Sequence, residues 1–179
     1  MSLPADLAVR AAAPGDEPAL AALIAACDET YRDWAPPGWE PPPAGRELER
    51  WRGRITDGSW WTRIAAERSG GRIVGLVCFT QSVAERGDGT RTMEPLPGRA
   101  HVSAVFAHPD RWREGIGAGM LALAEDAMRA AGYAEVQLWT PERAPARRLY
   151  EATGWRADGR RQWLAEIALP IVAYVKPLS

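Results

Sequence analysis

With 179 residues, 46% of them hydrophobic and 25% charged, the chain has the size and composition of one globular domain, residues 1 to 179, with a full core. Twenty-two basic residues against 23 acidic ones leave a net charge of −1, which excludes a general attraction for nucleic acid or an anionic membrane, so any partner must be recognised locally. No run of 18 apolar residues is present, and the start, MSLPADLAVR, does not lead a basic stretch into an apolar one; neither a membrane span nor secretion is expected, and a cytoplasmic location is. Leu7, Val9 and Ala11 alternate as a short strand, which Pro14, Gly15 and Asp16 stop. Asp16 is placed to cap a helix in which Leu20, Leu23, Ile24 and Cys27 form one apolar stripe. Cys27 and the second cysteine, Cys78, lie in apolar stretches without a CxxC pattern or a neighbouring His, so both read as buried thiols rather than metal ligands or a disulfide. Residues 31 to 45 carry five prolines with Trp34 and Trp39, a stiff irregular segment whose rings either pack over the core edge or form a lid. Residues 46 to 57 predict a polar helix with Leu48, Trp51 and Ile55 on one stripe and its charges on a solvated face. Residues 60 to 67 and 72 to 83 predict two strands joined by a turn at Ser69, Gly70 and Gly71, and the polar, aperiodic residues 84 to 99 predict a mobile loop.

The stretch that organises the rest is VFAHPDRWREGIGAGML, residues 105 to 121. An apolar run over 102 to 107 breaks at Pro109; Gly115, Gly117 and Gly119 follow, and then Met120, Leu121, Leu123, Ala127 and Met128 recur at helical spacing. This pattern predicts strand, glycine turn and helix, a junction whose free N–H groups and helix dipole suit a phosphate. No Gly-Lys-Ser/Thr follows Gly119, against a nucleoside triphosphate loop. A dinucleotide fingerprint would need its third glycine at Met120 and an acid at the far end of the next strand, whereas Glu135 stands at that strand's beginning. The helix closes at Gly132, and residues 133 to 139 form a strand parallel to the first through a right-handed crossover. A helix over 144 to 153 accepts Pro145 in its first turn and ends at Gly154; strands over 155 to 163 and 167 to 175 finish the chain, with Pro170 placing the last at an edge or bulge.

Residues 112 to 117, Trp-Arg-Glu-Gly-Ile-Gly, with Ala118 next, resemble the Q/R-x-x-G-x-G/A signature of the GCN5-related N-acetyltransferase (GNAT) superfamily, Trp112 standing where Gln or Arg is usual. Residues 138 to 155, LWTPERAPARRLYEATGW, resemble its later motif N-x-x-A-x-x-F-Y-E-x-x-G-F: Ala146, Leu149, Tyr150, Glu151, Gly154 and Trp155 match in type, and Arg143 replaces the Asn. The motif pair and the element order on both sides extend the resemblance over nearly the whole chain. It implies an α/β fold with a mixed sheet of about seven strands and about four helices. It also implies an acetyl-CoA-dependent N-acetyltransferase, free of metal, that moves acetyl to a primary amine of a small molecule or peptide by direct attack. A non-catalytic acyl-CoA-binding sensor or scaffold is the alternative in another class.

Carried over residue by residue, the resemblance makes Trp112, Arg113, Glu114, Gly115, Ile116, Gly117 and Ala118 the coenzyme A pyrophosphate loop, working mainly through backbone amides, with Arg143 beside it. The strand backbone of Val105, Phe106 and Ala107 would bond the pantetheine, freed by a splay between parallel strands. Tyr150 would be the acid that protonates the departing thiolate. His101, 14 residues before Gly115, is the candidate base, with Ser103 on its strand face to orient a water and Glu94 as a further candidate; His108 is expected merely to be exposed. The tryptophans Trp34 and Trp39 would line the acceptor site, and Arg111, Arg113, Arg143, Arg147 and Arg148 surround the cofactor segments, available to the 3′-phosphate. A strongly cationic acceptor would require acids such as Asp28, Glu29, Asp33 and Glu40 to gather at the mouth. Relatives often pair through late strands, which implies a homodimer.

Overall fold

A computed structural model describes residues 3 to 85 and 91 to 178. Its strands β1 (Leu7–Ala11), β2 (Trp61–Glu67), β3 (Ile73–Glu85), β4 (Arg91–Ala107), β5 (Glu135–Pro141), β6 (Arg156–Leu164) and β7 (Leu169–Pro177) form one sheet in the order β1-β2-β3-β4-β5-β7-β6. Helices α1 (Glu17–Glu29), α2 (Ala44–Thr56), α3 (Ile116–Ala130) and α4 (Arg147–Ala152) cover it, so the expected mixed α/β architecture is the one observed. Every strand pairing is antiparallel except β4 with β5, which α3 joins as a crossover.

Two apolar clusters hold the layers together. On one face Leu20, Leu23 and Ile24 of α1 and Trp51 of α2 close over Ile64, Leu76, Cys78 and Ala104. On the other, Ile116, Met120, Leu121 and Met128 of α3 pack on Val74, Val77, Ala100 and Val102. Full burial of a side chain such as Leu20 or Met120 contributes about 1.5–3 kcal/mol, which is what ties each helix to its face. The start of α3 comes very close to the sheet: a Cβ placed on Gly75 would stand 2.8 Å from Ile116 Cγ2 and 3.0 Å from Ala65 Cβ. A glycine inside a strand here serves close approach of a second element.

The structure corrects three expectations. Most of the segment read as a mobile loop over 84 to 99 is strand: β3 runs on to Glu85 and β4 starts at Arg91, with Val83 opposite Pro95 and Glu85 opposite Arg91. Prolines 95 and 97 are tolerated because this outer arm has no partner on its other side until β5 joins at Arg99 opposite Glu135. The loop expectation for residues 86 to 90 lies outside the described residues. Secondly, β7 is interior, between β5 and β6; Pro170 is its second residue and precedes the ladder with β5, which opens at Pro141 opposite Ile171. The irregularity falls instead in β6, where the register with β7 shifts between Ala157 and Arg161. Finally, Asp16 precedes α1 without a side-chain cap bond; its carboxylate accepts from the Ala13 N–H at 2.8 Å and pairs with Arg10 at 2.7 Å.

Candidate active site

The site begins where two strands part. β4 and β5 pair from Arg99 opposite Glu135 to Val102 opposite Leu138 and no further, so from Ser103 onward the β5-side edge of β4 has no strand partner. On the other edge the β3 register skips a residue, Cys78 facing Ala104 and Phe79 facing Val102, which makes Ser103 the extra residue of a β-bulge. A cleft of about 680 Å³ occupies the gap. Residues 102 to 107 form its floor, Arg111 to Arg113 with Gly115 to Ala118 one end, Leu138 to Pro141 with Leu149 and Tyr150 a second wall, and Cys27, Thr30, Tyr31 and Trp34 a third; Glu114, expected in the loop, is exposed off the wall and paired with Arg111.

The glycine turn closes one end with donors. Arg113 has φ 68° and Gly115 φ 82°, two left-handed residues in three, which turns successive N–H groups inward. Gly119 donates to the Gly115 carbonyl at 2.8 Å, the first closed turn, and the amides of Ile116, Gly117 and Ala118 are the orphan donors of α3. Together with the dipole of α3 they form an anion cradle. Trp112 is 47% exposed, and its Nε1 donates to the Ala107 carbonyl at 2.8 Å, pinning the turn to the end of β4. The Cys27 thiol donates to the same carbonyl at 3.3 Å. Of the three residues expected to offer backbone groups, Ala107 therefore has its carbonyl already engaged. Burial pushes the Cys27 thiol up to about 12, so it stays protonated.

Tyr150, on α4, lies 6% exposed on the cleft wall between the rings of Trp155 and Tyr174, at 6.2 and 5.7 Å. Burial raises its phenol to about 12 against the opposing pull of a hydrogen bond with Thr140, so the group is protonated throughout the neutral range. α4 is short, and its seat is fixed from outside: Arg147 donates to the Glu142 carbonyl at 2.7 Å and to the Tyr174 hydroxyl at 2.8 Å, and that hydroxyl donates to Glu151 at 2.6 Å.

The proline-rich segment divides its two tryptophans. Trp34 lines the cleft, with its ring 4.5 Å from that of Tyr31. Trp39 does not: it is 8% exposed, 5.6 Å from Tyr31, and donates from Nε1 to the Ile167 carbonyl at 2.7 Å, where it props the lid against the turn between β6 and β7. Tyr31, Trp139 and Thr140, which sequence reasoning passed over, also face the cleft.

His101 is half-buried, opposite Thr80 in β3 and Gln137 in β5, one residue short of the cleft floor. Glu94 is exposed on the outer arm of β4, away from the cleft. His108 is half-buried rather than exposed and sits beside Arg72 and Asp110. Arg113 and Arg148 line the cleft and are exposed; Arg111 lines it too, but is tied to Asp6, Glu67 and Glu114 at 3.0, 3.0 and 2.7 Å. Arg143 is exposed and off the wall, and Arg147 is spent on α4. Of the acids considered for the mouth, Glu29 and Glu40 are both bound by Arg32, at 2.9 and 2.7 Å, and no Asp or Glu lines the cleft among the described residues. Asp28 is half-buried on α1; burial first, then the Glu47 charge, raises its carboxyl to about 7, against the pull of Arg50.

A model of the Acetyltransferase (GNAT) family matches residues 24 to 155, from α1 through both motifs to the residue before β6. The chain belongs to the GNAT acetyltransferase family. Its GNAT fold is shared by solved structures of low identity. An acetyltransferase from Thermus thermophilus is 18% identical, with TM-score 0.65 over 99% of each chain. PaiA N-acetyltransferase from Thermoplasma acidophilum, solved with coenzyme A, is 13% identical, with TM-score 0.64 over 96% of this chain and 98% of that one. Arabidopsis thaliana NAA60, solved with a bisubstrate analogue, is 16% identical, with TM-score 0.68 over 97% and 99%. No curated protein matches the chain. Within this GNAT domain both family motifs border one cleft, the glycine turn at its end and Tyr150 on its wall. Among the described residues no helix is long and apolar enough to cross a membrane.

Proposed function

We propose that the protein moves the acetyl group of acetyl-CoA to a primary amine of a small molecule or peptide by direct attack in the cleft between β4 and β5. The observation that carries this reading is the convergence, on one cleft, of the anion cradle at 113 to 118, the unpaired edge of β4 and the buried phenol of Tyr150. The fit to coenzyme A rests on this chain's own donor set. Amides of Ile116, Gly117 and Ala118, with the Arg113 and Arg148 side chains, present positive groups where phosphates would lie, and the β4 edge offers peptide groups to an extended amide-bearing arm.

In the reaction the amine nitrogen forms a bond to the thioester carbon, the C–S bond breaks, the sulfur leaves with its electron pair and the amine gives up a proton. Tyr150 holds its proton at the position of the leaving sulfur. A phenol raised to about 12 is a weak acid against an ordinary thiol near ~8.5, so its contribution is a hydrogen bond that strengthens as charge reaches sulfur, with transfer completed as the bond breaks. His101, one residue off the floor, would take the amine proton across a water rather than by contact.

Calorimetric titration with acetyl-CoA followed by thiol release over an amine panel tests the reading. Binding in the micromolar range with release for one class of amine is the expected result. Binding with no release for any amine would turn the assignment to the sensor alternative, and no binding would remove coenzyme A from the account.

A further inference from the structure

The acceptor end of the cleft has a polarity of its own. Ser103, the bulge residue on the cleft floor, accepts a hydrogen bond at 2.7 Å from Nη2 of Arg54 on α2. The carbon of that guanidinium lies over two indoles, 4.4 Å from the centre of Trp60 and 5.0 Å from that of Trp51. Sequence reasoning placed Arg54 on a solvated face; it is half-buried. With one lone pair of Ser103 committed to a cation, its hydroxyl becomes a stronger donor and a poorer partner for an ammonium. Among the described residues nothing accepts that hydroxyl proton. Among the described residues the cleft wall supplies arginines but no carboxylate, and Asp28 on α1, whose charge reaches Tyr31, is not part of the lining. A second cation on the acceptor would therefore meet no carboxylate on the described wall, whereas an anionic oxygen would meet a donor with a positive charge behind it.

We propose that the acceptor is an amine that carries a carboxylate, as a free amino acid does, and that Ser103, backed by Arg54, is the residue that recognises the carboxylate oxygen. This rests on the N-acetyltransferase reading and narrows its acceptor. Lid residues Tyr31 and Trp34 would pack the amino acid's side chain, and the amine would lie toward the thioester at the start of the splay. A hydrogen bond to a charged group sets the scale at about 10- to 100-fold in kcat/KM between a free amino acid and its carboxamide.

The test uses the full chain with acetyl-CoA and compares free amino acids, their carboxamides, a short peptide and spermidine, by thiol release and mass of the product. The expected result is turnover of a free amino acid, with its carboxamide, the peptide and spermidine each poorer by at least about tenfold. In Ser103→Ala, kcat/KM for the amino acid should fall about 10- to 100-fold further than that for its carboxamide, with the difference carried by KM. Ser103→Thr, which keeps the hydroxyl, should recover most of the amino-acid KM. Preference for spermidine or the peptide, or an equal loss on amino acid and carboxamide in Ser103→Ala, would overturn the proposal while leaving acetyl transfer standing. Thiol release with none of the amines would overturn it together with the transferase reading.

Discussion

Tyr150 is buried, faces the cleft and keeps its proton through the neutral range, so its removal should separate chemistry from binding. Tyr150→Phe preserves the ring packing against Trp155 and Tyr174 and deletes the hydroxyl, with its proton and its hydrogen bond to Thr140. Its kcat should fall by about 10²-fold or more, with acetyl-CoA affinity by calorimetry unchanged within about twofold. Asp28 gives a second prediction at this scale. Its folded carboxyl titrates at about 7, above the ordinary carboxylate value, so the folded state holds an extra proton between roughly pH 4 and pH 7 and loses stability as pH rises through that window. Asp28→Asn, which cannot ionise, should raise the melting temperature above pH 7 and show no gain below pH 4; an equal gain at both pH values would show that the carboxylate's charge is not the cause. Tyr150 was legible in the sequence because a tyrosine beside a glycine-ended helix recurs in a family pattern. Trp39 was not, because its partner, the Ile167 carbonyl, lies 128 residues away. The role of Arg54 was hidden in the same way: its spacing in a polar helix says nothing of Trp60 or Ser103.

At the scale of elements, the turn before α3 and the strand beneath it carry the proposed cofactor end. Gly115 has φ 82° and open space around its Cβ position, so Gly115→Ala meets only backbone strain of about 1–2 kcal/mol. A fall of roughly 2–8 °C in melting temperature should follow, with weaker acetyl-CoA binding as the cradle distorts. Gly75→Ala is a different experiment, because its Cβ collides with Ile116 and Ala65 and must push α3 off the sheet. It should destabilise by about 1–3 kcal/mol and weaken acetyl-CoA binding by displacing Ile116 at the start of α3, read by thermal melts and calorimetry. Helices were legible through apolar stripes, as in Leu20, Leu23, Ile24 and Cys27, all buried. The outer arms of β3 and β4 were not, since prolines and a glycine in 91 to 99 mimic a loop and only the hydrogen-bonded neighbour reveals a strand. The bulge at Ser103 left no mark in the sequence for the same reason.

Across the whole molecule, one parallel pairing in an otherwise antiparallel sheet creates the gap in which the site lies. The parallel pair could be anticipated from strand, helix and strand in succession, but the insertion of β7 between β5 and β6 could not, because edge and interior differ only in a partner that the local pattern does not name. On the proposed reading acetyl-CoA would bind the cradle and the β4 edge and favour the native state by mass action, so saturating cofactor at about 100 times its dissociation constant should add about 2.7 kcal/mol to unfolding stability. Arg113→Ala together with Arg148→Ala should lessen that gain without changing the unliganded melt, since both side chains are exposed on the wall. The central claim is acetyl transfer in this cleft. It is tested most directly by incubating the chain with acetyl-CoA and a panel of amines and weighing the products against the thiol released. One N-acetylated amine per thiol, abolished or strongly slowed in Tyr150→Phe, is the predicted result; tight acetyl-CoA binding with no acetylated amine and no thiol above the uncatalysed rate would contradict it.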